Sequence, residues 1–148
     1  MPCKEIKKLL DTLNILRGRK VDMRVKYLIN ESFDADEVLN IFNSFNWKRE
    51  KEQIYSAFKN SYYILVYNNE NLIGFGRAIS DYYCYTSIHD ILVLNEFQNK
   101  GIGTNIMNML IEKFSNTNIY LTYTPDKDVF YKKFNFEKIN NAMRLKCK

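Results

Sequence analysis

The chain is poor in the residues that punctuate, cross-link and switch charge. It has two prolines in 148 residues and no low-complexity tract, so an unstructured chain is a poor description of it. Its three cysteines, Cys3, Cys84 and Cys147, are odd in number and lack Cys-x-x-Cys spacing. That argues against a disulfide framework and against a zinc site. Free thiols in a reducing cytoplasm, with no bound metal, are the expectation. There is one histidine, His89. No stretch approaches the about eighteen consecutive apolar residues of a membrane span. The opening segment MPCKEIKKLLDTLNILRGRK carries charges inside its apolar part, which fits neither a signal peptide nor a span. Glycine is scarce too. There are five, yet Gly101 and Gly103 stand one residue apart.

What is present reads as one ordinary domain. Hydrophobic residues make up 46% and charged residues 26%, and the length suits a single sizeable core. Aromatics reach 15%, with eleven Tyr and ten Phe, enough to build both a core and a pocket from rings. The formal net charge is +5. A small, scattered basic excess attracts anions without choosing among nucleic acid, membrane headgroups and phosphorylated cofactors.

Hydrophobic periodicity orders the elements. Ile6, Leu9, Leu10, Leu13 and Leu16 share one face of an amphipathic helix, so residues 1–20 read as a helical extension ending in a basic linker, docked on the domain or on a partner subunit in a homodimer. The main domain is expected over residues 21–148. Met23 to Ile29 alternates like a strand. Asp34 or Asp36 caps a helix to about Phe42, and Arg49 to Phe58 reads as a second helix. Tyr62–Tyr67 and Leu72–Ser80 form a hairpin about Asn68 and Asn69. His89 to Leu94 is a strand whose ILVL run is apolar on both faces, hence central. Gly101 to Phe114 is a helix with the stripe Ile102, Ile106, Met107, Leu110, Ile111 and Phe114. Ile119 to Tyr123 is a strand, and Asp126 opens a short helix to Lys133. Asn135 sits where a left-handed capping residue is needed, and Phe136 to Leu145 supplies one or two last strands. The result is a mixed α/β chain without repeats.

The glycine pair lies in QNKGIGTNIM, between an apolar strand and the best helix. The first amides of a helix lack intrahelical acceptors and lie at the positive end of its dipole. With no side chains at Gly101 and Gly103, those donors are open to a phosphate, with Lys100 as a nearby charge and Gln98 as a neutral donor. A tight strand-to-helix turn without ligand explains the pair equally well. A dinucleotide fingerprint is excluded because Ile106 occupies its third glycine position, and a Walker loop because its spacing and Lys-Ser/Thr are missing.

QNKGIG, preceded by DILVLNEF and followed by an amphipathic helix, resembles the Gln/Arg-x-x-Gly-x-Gly/Ala acetyl-CoA motif of the GNAT N-acetyltransferase family. FYKKFNFEK, Phe130 to Lys138, resembles the family's carboxy-terminal FYxxxGF element, with Asn135 replacing its glycine. LIGFGRAISD is similar to the strand before the cofactor-binding strand, and the likeness spans about residues 22–146. It implies a single-domain fold with a mixed, mostly antiparallel sheet flanked by helices. It implies acetyl-CoA as co-substrate. The pantetheine would run along the main chain of Leu92, Val93 and Leu94. The pyrophosphate would sit on Gln98, Asn99, Lys100, Gly101, Ile102, Gly103 and Thr104, with Phe130 beside it. The two strands near Leu92–Leu94 and Ile119–Tyr123 would splay apart.

Acetyl transfer to a primary amine, by direct attack in a ternary complex, needs an unprotonated amine. Alkylamines titrate near about 10.4 and need a proton acceptor. The resemblance makes Tyr131 the general acid toward the departing thiolate; a Tyr packed by its ring with its hydroxyl on the backbone is the plain alternative. His89, on the face of Ser87 where some relatives carry a catalytic Glu, is a candidate base. The plain alternative is a strand histidine bonded to a neighbour. Asp90, expected on the opposite face, is a second base or a structural carboxylate, and the Val93 amide an oxyanion donor. Phe42, Phe45, Trp47, Tyr82, Tyr83 and Tyr85 are expected around the acceptor, a small amine with an apolar or aromatic body. A peptide amine is the other acceptor class. Two further readings are an acyl-CoA-binding protein without turnover and a basic nucleic-acid module. The absence of any RNP or helix-turn-helix signature counts against the latter, and no membrane contact is expected.

Overall fold

Three antiparallel pairings and one parallel pairing build the sheet of this protein. We describe residues 24–147 from a computed structural model. The predicted helix at Lys4–Leu16 and its linker lie outside the described residues. The strands are β1 (Val25–Ile29), β2 (Tyr62–Asn68), β3 (Asn71–Ser80), β4 (Tyr85–Val93) and β5 (Asn118–Leu121). They lie in the order β1-β2-β3-β4-β5, with β1 through β4 antiparallel and β5 parallel to β4. The helices are α1 (Ala35–Ser44), α2 (Lys51–Lys59), α3 (Ile102–Lys113) and α4 (Asp128–Lys132).

The helices begin where the sequence offers caps. The Asp34 carboxylate accepts from the Asp36 amide at 2.8 Å and starts α1. Glu50 and Gln53 form a reciprocal capping box on α2. Both helices bury apolar residues on one face of the sheet. Val38, Ile41, Phe42, Ile54 and Phe58 pack there against Tyr63, Leu65, Phe75 and Leu92. Helix α3 covers the other face, with Ile102, Ile106, Met107, Leu110 and Phe114 on Ile64, Val66, Ile73, Ile88 and Val93. The stripe read from the sequence is thus the packed face of α3, since residues three and four apart share a side of a helix.

Several expectations change in detail. Strand β4 starts at Tyr85, four residues before the strand expected from the apolar run, because Thr86 and Ile88 already point into the core. It is interior to the sheet, as its two-sided apolarity requires. Asn135 takes the left-handed conformation with φ 64°. The last strands expected over Phe136 to Leu145 are absent, and residues 137–147 are irregular and exposed. Alternating residues there have the strand period but no partner, and a strand exists only where a ladder pairs it.

Candidate active site

The site grows from a parting of two strands. Along β3, strand β4 pairs from Ser80↔Thr86 to Gly74↔Val93. Along β5 it pairs only from Tyr85↔Asn118 to Ile88↔Leu121. Beyond Ile88 the side of β4 that faced β5 has no strand beside it among the described residues. The Leu94 amide donates to the Ile73 carbonyl of β3 at 2.9 Å. Main-chain groups alternate in direction along a strand, so those of Val93 face away from β3, into the gap. The groups of Leu92 are turned toward β3, which leaves Val93 as the polar contact in the expected Leu92–Leu94 stretch. Side chains here are structural. Leu92 is buried under α1 and α2, Val93 under α3, and Leu94 packs against both layers.

A bulge shapes the same stretch. Between Arg77↔His89 and Phe75↔Leu92, β4 holds one residue more than β3, and Asp90 has φ 52°. An inserted residue breaks the period of two. Asp90 therefore lies on the face of His89, not on the opposite one as expected. There its carboxylate accepts from Arg77 Nε at 2.5 Å, and Arg77 Nη1 donates to Ser61 Oγ at 3.0 Å. Ser61 Oγ donates to the Ala57 carbonyl at 2.5 Å, so the bulge is tied to α2. Asp90 is a structural carboxylate held by a cation, and this removes it as a free base. Nothing in the local sequence signalled the Arg77–Asp90 pair.

His89 lies half-buried, with Nε2 2.8 Å from Ser87 Oγ. Burial lowers its pKa below the ordinary value, the Arg77 cation lowers it further, and Asp90 opposes both. The ring is therefore neutral at pH 7 and able to take a proton. Beside it is an open cavity of about 410 Å³ lined by Ile79, Ser80, Asp81, Tyr85, Thr86, Ser87 and Tyr120. Of the aromatic residues expected around an acceptor, Tyr85 is in this lining. Phe42 is core, Phe45 packs on it, Trp47 stacks on Phe42, and Tyr82 packs on Phe114. Ile79 and Tyr120 were not foreseen. Register brings them there, since Ile79 and Tyr120 both pair with Ser87 from opposite sides.

Strand β4 then leads into the glycine pair through a short turn at Asn95–Phe97. Gly101 is the N-cap of α3 with φ 83°, a left-handed geometry that glycine adopts without strain. A Cβ there would meet nothing within 4 Å. Gly103 is already helical, and a Cβ on it would lie 3.4 Å from the Phe130 ring. The two glycines thus have different reasons. Gly101 serves the turn, and Gly103 keeps the first turn of α3 bare beside Phe130. The first intrahelical bond runs from the Asn105 amide to the Gly101 carbonyl, so the amides of Ile102, Gly103 and Thr104 have no acceptor in the helix. The Ile102 side chain is buried and offers only its amide. Asn99, exposed at φ 58°, turns the loop.

Two side chains bond within the loop itself. Gln98 Nε2 donates to the Val93 carbonyl at 2.9 Å and to Asn95 Oδ1 at 3.0 Å, and the Gln98 amide donates to the Asn95 carbonyl. Gln98 is therefore a brace of the loop and not a spare donor. Lys100 Nζ donates to the Glu96 carbonyl at 3.2 Å, which keeps its charge over the loop.

Tyr131, on α4, is half-buried among the rings of Tyr123, Phe130 and Phe136. Burial raises its pKa, so the phenol keeps its proton. Among the described residues its hydroxyl has no hydrogen-bond partner, although that of Tyr123 bonds Asp128. Tyr131 packs with the α3-side layer, whereas His89 is on the α1–α2 side. The structure places them on the two faces of the sheet at the gap, not in contact.

An open gap in the sheet that leads to a bare helix start is a specific arrangement. The family model described as "Acetyltransferase (GNAT) family" matches residues 29–136. The chain belongs to the GNAT acetyltransferase family. A GNAT relative, the Arabidopsis thaliana protein named GCN5-related N-acetyltransferase 3, chloroplastic, is 35% identical over 100 residues. That alignment covers 68% of this chain, and the chain spans 41% of the relative's length. A probable acetyltransferase from methicillin-resistant Staphylococcus aureus has the same fold, with a TM-score of 0.75 and 22% identity over 83% of this chain and 99% of that one. So does an aminoglycoside N-acetyltransferase solved in complex with CoA, with a TM-score of 0.65 and 9% identity over 88% of this chain and 99% of that one.

The GNAT fold is one of acyl-CoA-dependent acetyl transfer. The amides of Ile102 to Thr104, which lack intrahelical acceptors, and the Val93 edge are of the kind that bind an anion and an amide-bearing chain. No group of three or more metal-ligating side chains occurs among the described residues. No helix among them is long and apolar enough to cross a membrane.

Proposed function

We propose that this protein transfers the acetyl group of acetyl-CoA to a primary amine by direct attack in a ternary complex. The observation that carries the reading is the bond from Gln98 Nε2 to the Val93 carbonyl at 2.9 Å, which joins the loop before the bare helix start to the strand edge in the gap. The amides of Asn99 to Thr104 hold the diphosphate, Phe130 flanks it, and the Val93 edge takes the pantetheine arm. Acetyl-CoA supplies a thioester, an activated acyl group with a stable thiol to leave.

The residues then divide the chemistry. His89, neutral at pH 7, accepts the proton of the attacking amine as the nitrogen–carbon bond forms. The Val93 N–H faces the charge that grows on the acyl oxygen. The Tyr131 hydroxyl gives its proton to the sulfur as the carbon–sulfur bond breaks. The acceptor is a small amine whose apolar or aromatic body rests on Ile79, Tyr85 and Tyr120, with its nitrogen toward Ser87 and His89. Asp81 is the carboxylate in that lining, and it already accepts from the amides of Tyr83, Cys84 and Tyr85. The +5 net charge opposes polycations. Cys84 and Cys147 are free and exposed. This supports a reducing compartment, the cytoplasm or the inside of an organelle such as the one for which the Arabidopsis relative is named.

The test is release of free thiol from acetyl-CoA across a panel of arylalkylamines, alkylamines, polyamines, aminoglycosides, amino acids and peptides. The expected best acceptor is a compact amine with an apolar body. Spermidine as the preferred acceptor would remove the assigned pocket. CoA binding with no thiol release from any amine would remove the enzyme.

A further inference from the structure

The histidine assigned as base has a partner that takes no step in the reaction. Ser87 and His89 stand two apart on β4, ahead of the inserted residue at Asp90, so the pleat puts both on one face. Ser87 Oγ lies 2.8 Å from His89 Nε2. Ser87 also lines the open cavity, between its two register partners Ile79 and Tyr120. Among the described residues the Nδ1 atom of His89 has no hydrogen-bond partner, and Ser87 Oγ has none besides the ring. The charged groups that face the ring are Arg77 of β3 and Asp90 of β4, which pair with each other, and the Ser61 hydroxyl at the end of α2 holds Arg77. Asp81, Tyr85 and Tyr120 are the titratable groups of the cavity lining, and Asp81 is taken up by three amides.

A neutral imidazole has one N–H and one lone pair, and the bond made by one nitrogen decides the state of the other. Two arrangements fit the contact. If the Ser87 hydroxyl donates to Nε2, the hydrogen sits on Nδ1. The lone pair is then spent on Ser87, no ring nitrogen is left for a substrate proton, and Nδ1–H is a half-buried donor without an acceptor among the described residues. If Nε2–H donates to Ser87 Oγ, Nδ1 keeps its lone pair. The hydroxyl hydrogen then turns toward the cavity that Ser87 lines, where solvent or an acceptor molecule can take it. The second arrangement leaves no donor unpaired, and an enclosed donor without a partner is the costlier fault.

We propose that Ser87 is a positioning residue, which accepts the Nε2–H of His89 and thereby reserves Nδ1 for the proton of the attacking amine. The proposal rests on the reading of His89 as the base. As the nitrogen–carbon bond forms, the amine proton passes to Nδ1. The imidazolium keeps its Nε2–H on Ser87 Oγ, and the thiol leaves with the proton of Tyr131. The ring later gives the Nδ1 proton to solvent. A hydrogen bond to a charged donor is stronger than one to its neutral form, so Ser87 favours the imidazolium as it appears.

His89 is the only histidine of the chain, so its ring nitrogens can be read without overlap. The experiment is a two-bond proton–nitrogen spectrum of the full chain with isotope-labelled histidine, joined to the pH profile of kcat/KM. In the wild type Nε2 should carry the hydrogen and Nδ1 should be bare. Ser87→Ala should mix the two forms, lower kcat about tenfold, the worth of one hydrogen bond, and move the acid limb downward, because the acceptor that favoured the imidazolium is gone. Its KM for acetyl-CoA and its thermal shift with CoA should stay as in the wild type, which shows that it is folded. Ser87→Thr keeps a hydroxyl and should restore kcat and the limb. A wild-type ring protonated at Nδ1 overturns the proposal, and so does a limb that moves upward or stays in Ser87→Ala. His89→Gln separates the two levels. Undiminished kcat there removes the base and the proposal with it, whereas a loss in His89→Gln with none in Ser87→Ala removes the proposal alone.

Discussion

The side chain of Gln98 donates to the carbonyl of Val93 at 2.9 Å and so ties the loop before α3 to the strand edge at the gap. A loop free to drift would separate the site of the diphosphate from the site of the acyl group. Gln98→Leu keeps the volume and removes both of its donor bonds. We expect CoA affinity to fall by about tenfold, the size of one lost hydrogen bond of about 1.4 kcal/mol. Isothermal titration checks this, and unchanged affinity would show the loop to be held by other means.

The two glycines should fail in different ways. Gly101→Ala meets no neighbour but forces a side chain into a left-handed backbone, at a cost of roughly 1–2 kcal/mol. Its signature is a lower melting temperature with CoA binding largely kept. Gly103→Val should show the reverse, a modest change in melting as Phe130 shifts, and loss of CoA binding because branched methyls stand over the amides of the first turn. Thermal shift with and without CoA separates the two. Equal CoA affinity in wild type and Gly103→Val would exclude this helix start as the diphosphate site.

Tyr131→Phe removes a hydroxyl that bonds no described residue while keeping the ring among Tyr123, Phe130 and Phe136. CoA affinity and melting temperature should be nearly unchanged and kcat should fall by roughly 10²-fold or more, the lower range for a positioned proton donor. Undiminished turnover would show the hydroxyl to have no role.

The pH dependence of kcat/KM should report His89. Its pKa is lowered in the folded protein by burial and by Arg77, so the neutral base persists as pH falls through about 6.5 and the acid limb lies below that value. Arg77→Met removes the nearby cation and should move the limb upward. Asp90→Asn leaves Arg77 uncompensated and should move it downward. The linkage sign for stability is definite. A histidine with a lowered folded pKa costs no stability above the unfolded value and costs progressively more below it, as the unfolded chain takes up the proton first. A limb that ignores both variants would make the base another group.

Arg77→Met also tests the bulge. Arg77 and Asp90 side chains are 15% and 9% exposed, and removing one partner leaves the other charge enclosed. A loss of about 3 kcal/mol is expected by chemical denaturation, and a smaller one for Asp90→Asn, which keeps an acceptor and tolerates the left-handed backbone. Equal stability in wild type and Arg77→Met would mean that the pair contributes specificity of structure and no net stability.

The sequence by itself determined the parts that local physics governs. The α3 stripe, a cap at Asp34 or Asp36, the left-handed Asn135 and the glycine pair all follow from residue type and spacing within one or two turns. Where a partner lies far along the chain, only the tertiary structure decided. One extra residue in β4 turned Asp90 onto the face of His89, and the alternation read from the sequence could not register it. Arg77 and Asp90 are thirteen residues apart and meet because β3 and β4 pair. The gap exists because β5 stops pairing at Leu121. The tail has a strand's pattern without being a strand, because a strand is a relation between two segments, and no described segment pairs with it.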